Sequence, residues 1–121
     1  MISEIKNIMS SDIFDFKTYW PEDERSFMFS ITVTVGIKGK PGGDLFGVEI
    51  CTPKWLLDNY NENEIILGVD KLIVFKYDIE KILSRIRALF DGCSGNTWEE
   101  IAIKLSRIGH WEFENYQEKN S

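Results

Sequence analysis

From Phe27 to Ile37 every second residue is apolar: Phe27, Phe29, Ile31, Val33, Val35 and Ile37. Met28, Ser30, Thr32, Thr34 and Gly36 fill the positions between them. A period of two predicts a long strand with one buried and one mostly polar face. The run Lys38-Gly39-Lys40-Pro41-Gly42-Gly43 has the composition of a turn. Beyond it Phe46, Val48 and Ile50 alternate with Gly47, Glu49 and Cys51, so the two runs read as an antiparallel hairpin. Residues 2–9 make a weaker strand candidate, because Ile2, Ile5 and Ile8 are spaced by three and fit neither template. Residues 10–25 are polar and acidic. They read as a connection that can hold Phe14, Phe16, Tyr19 and Trp20 against the body.

The second half switches to helical periodicity. Thr52-Pro53 opens a short helix carrying Trp55, Leu56, Leu57 and Tyr60, with threonine as cap and proline in the first turn. Ile65, Ile66 and Leu67 suggest a short extended piece. Residues 71–77 suggest a strand with Leu72 and Val74 inward and Phe75 as a further inward candidate. Ile79, Ile82, Leu83, Ile86 and Phe90 predict an amphipathic helix over 78–91, capped by Asp78 and ended by Gly92. A second helix is predicted over 97–108. It has a capping box at Thr97 and Glu100 and a stripe of Trp98, Ile101, Ala102, Leu105 and Ile108. Trp111 and Phe113 alternate with Glu112 and Glu114, which predicts an extended end, as an edge strand or docked tail. The expected fold is α+β: an antiparallel sheet of four or five strands with amphipathic helices packed on one face. Without repeats or a linker, residues 1–121 read as one domain.

Composition then narrows the function. A chain of 121 residues, 43% hydrophobic, can bury roughly two thirds of its unfolded surface without metal or disulfide. The net charge of -6 argues against direct nucleic-acid binding and against an anionic membrane surface, and suits a basic partner. The first ten residues lack the long apolar core of a signal peptide, and no apolar run is long enough to span a bilayer, so a cytoplasmic setting is expected. Cys51 and Cys93 have no metal-ligand spacing and read as free thiols, although sequence leaves a disulfide between them open.

The chemistry of catalysis is thin. The single histidine, His110, sits between a helix-ending Gly109 and Trp111, with no local nucleophile. The glycines fall in a turn, not in a phosphate-binding loop. Lys54 reads as a solvated lysine at a helix start. Glu99 and Glu100 lie in a first turn, where acids complement the helix dipole. No catalytic, cofactor or metal site is expected. Acids are instead concentrated in predicted loops: Glu22, Asp23 and Glu24; Asp58, Glu62, Glu64 and Asp70, with no Lys or Arg among them; and Glu112, Glu114 and Glu118. Trp20, Tyr60, Trp111 and Tyr116 lie beside them in sequence, and aromatic anchors with steering carboxylates would make an interface for a basic partner.

Several segments together resemble the immunity protein 8 family. They are Pro21-Glu22-Asp23, the hairpin, Cys51-Thr52-Pro53-Lys54-Trp55-Leu56-Leu57, Lys71-Leu72-Ile73-Val74-Phe75 with Tyr77-Asp78, Gly95-Asn96-Thr97-Trp98-Glu99-Glu100 and Trp111-Glu112-Phe113-Glu114. The resemblance implies a non-enzymatic bacterial antidote of a polymorphic or contact-dependent toxin system. Such a protein binds its cognate toxin domain, here a basic one and by inference a nuclease, and occludes it stoichiometrically. Glu22, Asp23, Glu24, Asp58, Glu62, Glu64, Asp70, Glu112 and Glu114 are the expected toxin-binding residues. Oligomeric state is not legible. A structural or adaptor module is the alternative, and a small-molecule site using Glu99, Lys54 or His110 is a third reading.

Overall fold

The computed structural model describes residues 1–114. The elements are β1 (Ser3–Met9), β2 (Met28–Ile37), β3 (Asp44–Cys51), α1 (Pro53–Asn59), β4 (Lys71–Ile73), α2 (Ile79–Phe90), α3 (Trp98–Leu105) and β5 (His110–Trp111). The α+β class is as expected, with a sheet of five strands in the order β1-β2-β3-β4 and β5 paired to β3. One feature of the expected sheet is corrected: β4 runs parallel to β3, and the other pairings are antiparallel. The reason is the connection. A two-residue turn reverses a chain, but α1 and the loop after it carry the chain back to the start of β3's second half before β4 begins.

The predicted hairpin forms β2 and β3, paired from Met28–Cys51 to Val35–Asp44. Its inner face is Phe29, Ile31, Val33, Val35, Phe46, Val48 and Ile50, all buried. At its closed end the backbone crosses itself tightly: a side chain on Gly36 would meet the Gly42 carbonyl oxygen at 2.2 Å. The odd spacing of Ile5 and Ile8 has a definite cause. The β1–β2 register skips at Lys6, so Ile5 faces Val35 while Ile8 faces Val33. A bulge turns two residues spaced by three onto the same core-facing side.

Helices α2 and α3 cover that face through Ile82, Ile86, Phe90, Ile101, Ala102 and Leu105. Asp78 caps α2 by accepting the Lys81 N–H at 3.1 Å, and Gly92 (φ 76°) follows its end. Helix α3 stops at Leu105 instead of Ile108, in a turn through Ser106. The strand predicted over 71–77 is likewise shorter. The Val74 N–H takes the Cys51 carbonyl, where β3 ends, and the Tyr77 N–H turns to the Glu24 carbonyl. Leu72 and Val74 pack against the core, while Phe75 is 76% exposed. Ile65 and Leu67 are exposed and lie outside the sheet.

Candidate partner-binding surface

The acids expected to meet a partner lie in the connections around the sheet, on α1 and at the end of the described residues. The connection between β1 and β2 is held by aromatic packing. Tyr19 and Trp20 contact Tyr77 edge-on, with centroids 5.9 and 4.9 Å apart, and the Tyr77 hydroxyl donates to the Tyr19 carbonyl at 3.1 Å. Glu22, Asp23 and Glu24 are thereby fixed on a shallow depression that also includes Phe27, Met28 and Trp55.

Each acid there has a local task, with one exception. Asp23 accepts from Lys54 Nζ at 2.9 Å and from the Arg25 N–H at 2.9 Å; these two bonds, the lysine's first, hold its carboxyl below the usual range. Lys54 is raised in return, chiefly by the same bond, so it is a partner of Asp23 and not a free grip for an acidic ligand. Glu24 faces Arg25 at 3.1 Å and Lys76 at 3.7 Å. Asp58, on α1, accepts from the Ser26 hydroxyl at 3.1 Å, which joins it to this group. Glu22 holds no such bond among the described residues.

A second group lies beside β3 and β5. His110 Nδ1 is 3.0 Å from Glu114 Oε2 and 3.9 Å from Asp70 Oδ2. Asp70 has a left-handed backbone (φ 58°). Burial pushes its carboxyl above the ordinary range, against the pull of His110 and with help from Glu114 and Glu49. Glu49 is a member that sequence reading passed over, although its place on the polar face of β3 was visible in the alternation. It forms an ion pair with Lys71, whose side chain is mostly buried. Glu112 accepts the Leu45 N–H at 3.2 Å and prolongs the β3–β5 contact. In the loop after α1, Glu64 accepts from the Asn61 side chain at 2.9 Å, whereas Glu62 is exposed and holds no such bond among the described residues. The nine predicted acids thus fall into separate groups. Glu118 and Tyr116 lie outside the described residues.

Among the described residues the remaining candidates hold structural positions. Cys51 is buried and desolvation raises its thiol, the opposite of an activated nucleophile. Cys51 and Cys93 are both free thiols. Glu100 closes the capping box, and Glu99 occupies the first turn of α3. Trp98, expected on the apolar stripe of its helix, and Trp111, expected in an extended end beside acids, share one acceptor: both indole N–H groups donate to Asp44 Oδ2, at 2.7 and 3.0 Å. Among the described residues no helix is long and apolar enough to cross a membrane.

The sequence profile of the family described as Immunity protein 8 matches residues 3–116. The chain belongs to the immunity protein 8 family. Its members are non-enzymatic toxin inhibitors, so this protein has a toxin as its partner. Searches of curated proteins and of solved structures find no match.

Proposed function

We propose that this immunity protein neutralises a basic toxin domain, a nuclease in the simplest case, by one-to-one binding over its active site or substrate groove. The observation that carries the reading is the family match across nearly the whole chain. The charge of -6 supports the nature of the partner: a nuclease groove is shaped for phosphates, and carboxylates can take their place. Glu22, Asp23, Glu24, Asp58, Glu62, Glu64, Asp70, Glu112 and Glu114 supply the attraction. The whole chain acts as one unit in the cytoplasm, meeting a toxin delivered by a polymorphic or contact-dependent system.

The test is titration calorimetry against the C-terminal domain of the large protein encoded beside this gene, at low and moderate salt, with coexpression in cells. Tight one-to-one binding that weakens with salt, with survival of the coexpressing cells, is the expected result. Cells that die equally with and without this protein would overturn the reading.

A further inference from the structure

The two edges of the sheet are treated differently. Along β1, the segment after α2 covers the first half: the Ser3 N–H bonds the Cys93 carbonyl at 2.8 Å, the Gly92 N–H bonds the Ser3 carbonyl at 3.0 Å, and Asp91 accepts the Ile5 N–H at 2.7 Å. The bulge at Lys6 distorts the rest. These are the devices by which an edge avoids further pairing. Along β4, neither device is present among the described residues. In a parallel ladder alternate residues bond the same neighbour. Here the Asp70 carbonyl and the Val74 N–H are taken by β3, so the N–H and C=O of Ile73 point the other way. No described residue bonds them.

Apolar side chains accompany this open backbone. Ile73, Phe75 and Trp20 are exposed large hydrophobics. All three line one groove of about 950 Å³ between β4 and α2. Charge within the groove is mixed, with Glu24, Asp78 and Glu80 beside Lys76, Lys81 and Arg85, so recognition there rests on backbone and apolar contact. The approach to it is acidic: residues 55–70 carry Asp58, Glu62, Glu64 and Asp70 with no Lys or Arg, and lead directly into β4.

We propose that the outer edge of β4 receives an extended strand of the toxin domain, basic overall and with apolar side chains seated against Phe75 and Trp20. The inference rests on the proposed function. A second copy of this chain is the poorer occupant, because each copy carries a charge of -6 and brings the same acidic approach loop. With only three residues in β4, the pairing gives one or two hydrogen bonds and fixes register, while the apolar anchors hold the strand.

Ile73→Pro tests the pairing, since proline removes a donor that β3 does not use and is tolerated at an edge. The variant should melt close to the wild type and bind the neighbouring-gene toxin domain at least about tenfold more weakly. Ile73→Ala, which keeps the N–H, should lose less. In wild-type protein the Ile73 amide should exchange quickly when free and be protected in the complex. Tight wild-type binding with full affinity in Ile73→Pro and no protection of that amide overturns this inference and leaves the proposed function standing. Failure of the wild type to bind or protect overturns both. A homodimer in sedimentation that Ile73→Pro dissociates makes the occupant a second copy and overturns the toxin assignment.

Discussion

Asp44 joins two C-terminal elements to the hairpin. Its carboxylate accepts the indole N–H of Trp98 at the start of α3 and of Trp111 on β5, so one side chain ties both to β3. Hydrogen bonds to a charged acceptor contribute more than neutral ones. We expect Asp44→Ala to lower unfolding free energy by about 2 kcal/mol, and Asp44→Asn to cost less, as read by chemical denaturation. A negligible loss in both would show that the indoles are held by packing alone. Asp70 should behave in the opposite sense. Its folded carboxyl is raised, so the protonated form is favoured: no penalty exists below the unfolded value, and stability falls as pH rises through the window up to the raised folded value. Its left-handed backbone also suits asparagine. Asp70→Asn should therefore stabilise the protein at neutral pH by about 0.5–1 kcal/mol and flatten that part of the stability profile. A lower melting temperature would mean that the His110 contact outweighs burial.

At the scale of elements, α3 shows how local chemistry and packing share the work. Eight residues are too few for a helix to stand alone. Its capping box is complete: Thr97 accepts the Glu100 N–H at 3.1 Å, and Glu100 accepts the Thr97 N–H at 3.2 Å and that of Asn96 at 2.8 Å. Since Ile101, Ala102 and Leu105 belong to the core, loss of the cap should be felt by the whole fold. Thr97→Ala is expected to cost about 1 kcal/mol in global unfolding, with hydrogen exchange rising first at the helix start. Exchange unchanged there would contradict it. The caps and stripes of α2 and α3 were legible because 3.6-residue periodicity and capping residues are local. The bulge in β1 was not, because the spacing of Ile5 and Ile8 acquires meaning only against Val35 and Val33 on the neighbouring strand.

For the whole molecule, charge and apolar contact have separable effects on association. Surface carboxylates act chiefly on the encounter rate and are screened by salt, whereas buried anchors act on dissociation. Most of the predicted acids also hold local bonds, so their replacement would perturb structure as well as charge. Glu22 and Glu62 are the clean probes. The double variant Glu22→Lys, Glu62→Lys should melt as the wild type does, associate several-fold more slowly with the toxin domain and show a flatter salt dependence. Stopped-flow mixing at two ionic strengths would read this. Identical rates would move the electrostatic contribution away from both loops.

The sequence alone determined the hairpin, the two capped helices, the α+β class and the acidic character, because alternation, helical spacing, caps and charge are properties of neighbours along the chain. It also carried the family resemblance through short segments spread over its length. Only the tertiary structure decided that β4 lies parallel to β3, that Lys54 is consumed by Asp23, and that Glu49, Asp70, His110 and Glu114 gather on one side. It also decided that, among the described residues, one sheet edge is covered while the other is open. Those are relations between residues far apart in sequence, set by the connection through α1 and by the packing of the helices, and no local pattern encodes them.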